Sequence, residues 1–324
     1  MTKKISVIIP HHPIAERKQL LIRSLKALLL QSIPKSQYEI IVVIDGFSDN
    51  LVEFLNKYFE EIIVLTKKHT GVCQTRNLGI EYSKANYIAF VDDDCIPDEK
   101  WLENFLNFIS KKPDTYAIGG QTLSLSNESI FQRYAIKRML LAKPVYLNGE
   151  IISLITANAV VKLEILNNIG AFEREFDTIF GSCGGEDADL SFKLRREKIE
   201  LSYCESAIVY HFHRKTLRSF IKQQYRNGQG LIIHTNYRNI SIKELGFPEP
   251  KLLKIFLHML QYIFINKDGS PSVLKRTKSY FFDSDLSLRD KLSFPLIDIL
   301  RRGCYYTGIY FGNRKFRKYD TTNL

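Results

Sequence analysis

The stretch "YIAFVDDDCIPDEKW", Tyr87 to Trp101, runs an apolar segment straight into three consecutive carboxylates, Asp92, Asp93 and Asp94. "YIAFVD" reads as a buried strand, and "DEKWLENFLNFISKK" places apolar residues at helical spacing. Like charges in a row repel, and burying even one unpaired costs several kcal/mol. In a chain of net charge +11, three acids at the tip of a hydrophobic strand point to a ligand rather than to solubility.

The same alternation extends towards the N-terminus. "KISVIIP", "YEIIVVID" and "EIIVLT" read as strands, separated by the helical "AERKQLLIRSLKALLLQS", "DNLVEFLNKYF" and "GVCQTRNLGIEYSK". Continuous apolar strands alternating with amphipathic helices predict an α/β fold, a parallel sheet covered on both faces. Ligands of such sheets bind beyond the carboxyl ends of the strands. The residues found there are Pro10-His11-His12, Asp45-Gly46, the group Gly71, Arg76 and Asn77, and the three aspartates. All four sets are expected along one edge of the sheet.

Past residue 120 the alternation stops. "SLITANAVVKLEILNNIGAF" predicts a strand and a short helix ended by Gly170, and "GSCGGEDADLSFKLRREK" a glycine-rich loop opening a helix. "IELSYCESAIVYHFHR" supplies apolar strands carrying two histidines. After Arg214 the pattern is helical, with a boundary near "GFPEP", Gly246 to Pro250. The expected organisation is 1–120 and 121–240 as two halves of one α/β domain, with 241–324 as a basic helical region.

Composition bounds the class. Hydrophobic content of 45% with 25% charged residues is ordinary for a globular chain, so disorder is not expected. "MTKKISVIIPHHP" has too short an apolar run for a secretory signal and reads as a first strand. Cys73, Cys95, Cys183, Cys204 and Cys304 are odd in number and lack CxxC spacing. They read as reduced thiols of a cytoplasmic protein, without a zinc site or disulfide framework. Leu252 to Ile265 is apolar but interrupted by Lys254, His258 and Gln261, which share one helical face, so it reads as amphipathic and not spanning. From Ser241 to Leu324, 15 Lys/Arg stand against 8 Asp/Glu, which is 7 of the 11 net charges.

Hard carboxylate oxygens in a crevice suit Mg²⁺ or Mn²⁺ together with substrate phosphates, and Asp92 and Asp94 can turn towards one ion. Helix capping, the bland reading, is already served by Asp98 and Glu99. A second cluster, Glu186, Asp187 and Asp189, follows glycines and opens a helix; capping and a general-base role both fit it. His211 and His213, at i and i+2, leave one face of a strand as candidate metal ligands. No GxxxxGK[ST] is present, and no GxGxxG joins a strand to a helix, which disfavours NTPases and dehydrogenases. "PHHPIAER" lacks the glycine-rich loop of a sugar-phosphate nucleotidyltransferase, and no nucleic-acid-binding motif appears.

The ordered set "SVIIP", "YEIIVVIDGFSDN", "GVCQTRNLGI", "FVDDDCIP", "TANAVVKLEILNNIGAF", "GGEDADLSFKLRREKI" and "VYHFHR" resembles family 2 glycosyltransferases over about Lys3 to Gly230. The resemblance implies a GT-A fold, a Rossmann-like, mostly parallel sheet flanked by helices, here with a C-terminal helical appendage. It implies an inverting, metal-dependent transferase that moves a sugar from a nucleotide-diphosphate donor, by resemblance a UDP-sugar. The acceptor would be a glycan or a lipid-linked glycan, in cell-surface polysaccharide synthesis. By position, Asp92-x-Asp94 matches the metal and diphosphate motif, with Asp94 on the Mn²⁺ or Mg²⁺ and Asp93 beside the donor. Asp45 and Arg76 match nucleotide-pocket residues, with Pro10 and His11 against the base. Asp187 matches the catalytic base, Glu186 an acceptor contact, and His211 or His213 the histidine completing the metal site. Ile44-Asp45 stands where the family often has two acids, and His11-His12 where it has an aromatic-asparagine pair, both in the nucleotide pocket. The alternative, a non-catalytic nucleotide-sugar or polyanion-binding module, is disfavoured because every acid the chemistry needs is present. The C-terminal region reads either as peripheral on an anionic inner membrane face or as packed on protein.

Overall fold

Four apolar strands, β1 (Ile5–His11), β2 (Tyr38–Asp45), β3 (Ile62–Lys67) and β4 (Tyr87–Val91), lie parallel in the order β3-β2-β1-β4. They are joined by α1 (Ala15–Leu29), α2 (Asp49–Tyr58) and α3 (Val72–Tyr82). The computed structural model describes residues 3–147, 149–181, 184–265 and 271–322. It divides into two units, the first being Met1–Ser126, Met139–Gly181 and Glu186–His213. β1 and β2 are buried almost throughout, as parallel strands covered on both faces must be, whereas β3 at the sheet edge is half-exposed.

The chain steps from β1 to β2 to β3 and then returns to β4 on the other side of β1. Such a reversal opens a crevice at the carboxyl ends of the strands. His11 ends β1 and Asp92 follows β4, so the first acidic run sits at this switch point. The parallel strands also bring the other strand-end sets to the same edge, as the alternation predicts.

The sheet continues from β4 through β9 (Asn158–Lys162), β6 (Ala117–Ser124) and β10 (Leu201–His211) to β5 (Cys95–Pro97). β9 runs antiparallel to both neighbours. Asn158 ties this half together: its amide donates to the carbonyls of Gln121 and Ala207 at 2.8 and 2.9 Å and accepts from the Trp101 indole at 2.8 Å. A Cβ at Gly120 would lie 2.4 Å from the Ala207 oxygen, so only glycine admits that approach. Trp101 opens α4 (Trp101–Lys111) and is fully buried. A bulge between Cys204 and Ile208 resets the register of β10 so that His211 ends opposite Cys95. The unit is completed by the hairpin β7 (Val145–Leu147) and β8 (Glu150–Ser153), and by α6 (Leu163–Ile169), α7 (Glu175–Thr178) and α8 (Glu186–Arg196). Gly170 ends α6 in the left-handed region, as its sequence position predicts.

The second unit comprises Asn127–Arg138, Ser182–Gly185 and Arg214–Leu324. Its described helices are α5 (Ile130–Lys137), α9 (Leu217–Tyr237), α10 (Leu252–Phe264), α11 (Val273–Phe281) and α12 (Leu288–Thr322). α9 and α12 cross on glycines: a Cβ at Gly228 would stand 2.0 Å from the Tyr305 carbonyl, and one at Gly308 2.1 Å from that of Tyr225. Buried Asp298 accepts from Tyr134 at 2.8 Å, Tyr280 at 2.9 Å and the Arg276 guanidinium at 3.0 Å, so its charge is paired and hydrogen-bonded.

α10 turns a mixed face inward: His258 and Tyr262 are buried and Ile255 and Met259 pack against Ile232, Tyr306 and Ile309, while Lys254 stays exposed beside Glu249. His258 lies edge-on to Tyr306 at 5.5 Å, while Leu252, Leu253, Phe256, Leu257, Leu260 and Phe264 are exposed. Among the described residues, no helix is long and apolar enough to cross a membrane. Cys73, Cys95, Cys204 and Cys304 are free thiols; Cys183 lies outside the described residues.

Candidate active site

The polar residues at the strand ends meet in the first unit. Asp45, at the end of β2, is buried and accepts four hydrogen bonds. Lys67 and the Thr70 N–H donate to Oδ1 at 2.7 and 2.8 Å, and His69 and the Gly71 N–H lie 2.8 and 3.0 Å from Oδ2. Burial would raise this carboxyl, but Lys67, the Thr70 N–H and His69 outweigh it and hold it below the ordinary range. The exposed His12 and His69 rings flank it with centroids 4.6 Å apart. His12, Asp45 and His69 have ligand atoms within 4.8 Å of one another, and the Lys67 ammonium already neutralises that carboxylate. Ile44, at the position before Asp45, is fully buried in the core.

Gly71 has φ +117, and a Cβ on it would come 2.3 Å from Cγ of Asp177. The Asp177 carboxylate fills that space to accept the N–H groups of Cys73 and Gln74, capping α3. α3 in turn carries Arg76 and Asn77. The Asn77 side chain exchanges two hydrogen bonds with the backbone of Phe172, at 2.8 and 3.1 Å, which locks "RN" to "GAF".

The three consecutive aspartates take different partners. Asp92 accepts from Arg76 Nη2 at 3.0 Å. Asp93 is buried and held by His11 Nδ1 at 2.6 Å and by a two-pronged grip from Arg17. Asp94 lies 3.1 Å from Arg17 Nη2 and 3.5 Å from His211 Nε2. Strand pairing explains the last contact: Cys95 faces His211 across β5 and β10, and the Phe212 N–H donates to the Asp94 carbonyl at 2.9 Å. His213 falls past the end of β10, its Nδ1 3.2 Å from that of His211. His211 is thus the histidine beside Asp94.

Asp94, Cys95 and His211 place a carboxylate oxygen, a sulfur and a ring nitrogen within 4.8 Å of one another. Burial, reinforced by Asp94, pushes the Cys95 thiol well up, so it stays protonated and is a poor ligand. The carboxylate and the imidazole remain, a donor pair that fits a hard divalent ion completed by phosphate oxygens.

The second acidic cluster opens α8. Arg76 reaches it too, donating to Glu186 Oε1 at 3.1 Å, so one buried guanidinium bridges the two clusters. Burial would favour the neutral form of Arg76, but Asp92, Glu186 and Asp187 outweigh it and keep it charged. Asp187 accepts a short hydrogen bond from the Thr156 hydroxyl. Ser191 pins the same turn, donating to the Asp187 carbonyl at 2.7 Å and accepting from the Leu154 N–H at 3.0 Å. Burial, then the neighbouring Glu186, pushes the Asp187 carboxyl up to about 7, against the pull of Arg76 and Thr156. A carboxyl poised there takes and releases a proton near neutral pH. Asp189 is fully buried in the same first turn of α8.

A model of the family described as Glycosyl transferase family 2 matches residues 6–170. The chain belongs to glycosyl transferase family 2. It is similar to glycosyltransferase AglE of Haloferax volcanii, 28% identical over 243 residues, covering 70% of this chain and 73% of the relative. It is also similar to chondroitin synthase of Escherichia coli, 24% identical over 64% of this chain and 34% of that protein. The third relative is poly(ribitol-phosphate) beta-N-acetylglucosaminyltransferase TarP of Staphylococcus aureus, 31% identical over 36% of each chain. The chain thus spans most of the archaeal relative but only about a third of the other two. As a family 2 protein it is a glycosyltransferase, and its mostly parallel sheet with flanking helices is the GT-A arrangement.

Four side chains of this family 2 site are absent from the sequence reading: Arg17, Lys67, His69 and Thr156. Arg17 sits on the helix after β1, 76 positions from Asp93, and nothing in its surroundings separates it from Arg23 or Lys26. Lys67 and His69 were signalled in principle, because Lys67 ends β3 and His69 follows it in the edge set.

Proposed function

We propose that this family 2 glycosyltransferase is an inverting, metal-dependent enzyme that moves a sugar from a nucleotide-diphosphate donor, a UDP-sugar, to a hydroxyl of a glycan or lipid-linked glycan. The observation that carries the reading is the Asp187 carboxyl, raised to about 7 and oriented by Thr156, joined through Arg76 to the aspartates at the switch point. Asp187 accepts the proton of the acceptor hydroxyl as that oxygen attacks the anomeric carbon. Attack comes from the face opposite the diphosphate, the bond to the diphosphate breaks, and one displacement inverts the centre. Thr156 holds the carboxylate towards the acceptor, and Glu186, fixed by Arg76, contacts the acceptor.

Residues 1–120 form the donor half and 121–240 the acceptor half. Pro10, His11 and Asp45 line the base pocket, and Asp45 takes the base N–H in place of His69, the most exposed of its donors. Asp93 acts through His11 and Arg17, which it positions. Asp94 and His211, with Asp92 nearby, hold Mn²⁺ or Mg²⁺; the chemistry supplied there is neutralisation of charge on the departing diphosphate. His213 supports His211. The names of the bacterial relatives, chondroitin synthase and poly(ribitol-phosphate) transferase, support a cell-surface polysaccharide as product. The exposed apolar face of α10 and the seven surplus positive charges of 241–324 support peripheral attachment to an anionic inner membrane face.

Thermal shift with UDP, GDP, dTDP and CMP, each with and without Mn²⁺, tests the donor site. Stabilisation by UDP only with metal is expected. A shift that ignores metal, or none with any nucleotide, contradicts the reading.

A further inference from the structure

α9 and α12 enclose a groove of about 620 Å³, within the roughly 300–1,000 Å³ of small-ligand sites. Its apolar wall is the row Leu217, Ile221 and Tyr225, spaced four apart along α9, and it is completed by Cys304 and Thr307 of α12. A second row on the same helix, Arg218 and Lys222, lies directly alongside. Both cations are exposed, and neither has an ion-pair partner among the described residues. Next to Thr307 the helices come into backbone contact at Gly308, which closes the groove on that side.

A slot with an apolar wall and two unneutralised cations along its rim matches one ligand chemistry. A nucleotide base would find almost no polar partners in it, and a neutral hydrocarbon would leave the cations unanswered. We propose that the groove binds a single-chain anionic amphiphile, an alkyl or isoprenoid phosphate, with its chain along Leu217, Ile221 and Tyr225 and its phosphate on Arg218 and Lys222. This deepens the acceptor part of the function proposed above and rests on it for its meaning: the groove would hold the lipid of a lipid-linked acceptor.

Cys304 supplies the reporter, since it is a partly exposed thiol in the wall, while Cys73, Cys95 and Cys204 are buried. The full chain is treated with N-ethylmaleimide, and modification of the Cys304 peptide is followed by mass spectrometry. Dodecyl phosphate below its micelle concentration is expected to slow modification at least tenfold, and dodecanol or inorganic phosphate is not. Ile221→Asp should abolish protection and Lys222→Glu weaken it at least tenfold, with folding checked by circular dichroism melting; Lys222 is exposed, so its variant folds even if the other does not. No protection by dodecyl phosphate overturns the proposal, as does equal protection by dodecanol or inorganic phosphate, or protection that survives Lys222→Glu. The UDP thermal shift on the same samples reports the donor site separately. Protection without a shift upholds the groove and counts against the UDP-donor reading, and a shift without protection does the reverse.

Discussion

The two acidic clusters look alike in sequence and are built in opposite ways. Asp92, Asp93 and Asp94 are adjacent, yet their side chains diverge, to Arg76, to His11 with Arg17, and to His211 with Arg17. Each carboxylate is matched by a basic partner. Glu186 and Asp187 instead lie together under one shared guanidinium, and burial plus mutual repulsion lifts Asp187 to about 7. Partners, not the acids themselves, assign the chemistry: matched carboxylates are suited to holding charge in place, a crowded pair to exchanging a proton.

Because Arg76 is common to both clusters, its loss should have the largest effect. Arg76→Met leaves Asp92 and Glu186 without their cation, and a broken buried pair costs about 3–5 kcal/mol, measurable by urea unfolding. A loss under about 1 kcal/mol would mean the clusters do not depend on their bridge. The clusters should then separate under finer cuts. Asp94→Ala is expected to weaken Mn²⁺-dependent UDP binding by at least about tenfold, the scale on which even outer-shell partners of metals act. Undiminished binding would place the ion elsewhere.

Thr156→Val touches only the second cluster. The hydroxyl favours the ionised form of Asp187, so its removal raises that carboxyl further, and the acid limb of kcat/KM should move to higher pH. One charge-assisted hydrogen bond of ~1.5 kcal/mol corresponds to about one pH unit. An unmoved limb would remove Thr156 from the base's surroundings. A separate effect is on the pH dependence of stability. Asp187 titrates near 7 in the folded chain and near 3.9 unfolded, so between those values the folded state holds a proton that the unfolded state has lost. Its contribution to stability therefore falls as pH rises through that window. Asp187→Asn does not titrate and should melt higher relative to wild type at pH 8 than at pH 4; the opposite order in melting curves would contradict the raised carboxyl.

The sequence made the sheet legible because β1 to β4 are local, continuous apolar runs whose helices follow directly. The same runs placed Asp45, Arg76 and the aspartates at one edge. What stayed hidden were choices made by distant partners. Which of three identical aspartates faces His211 depends on the pairing of β5 with β10, more than 110 residues apart. Thr156 reaches Asp187 only because the segment before β9 docks on α8. α10 shows a different limit: its periodicity defined two faces, but His258 turns inward because Tyr306 offers an aromatic edge there, and the leucines are left outside.

The most direct test of the division of labour between the clusters is Asp187→Asn, with UDP affinity and transfer of labelled sugar from the donor to cell-envelope glycans measured on the same preparation. Transfer should fall by about 10²–10⁴, the contribution of a general base, while metal-dependent UDP affinity stays within about twofold of wild type. Transfer at the wild-type rate, or loss of nucleotide binding together with transfer, would contradict the assignment of one cluster to the donor and the other to the proton.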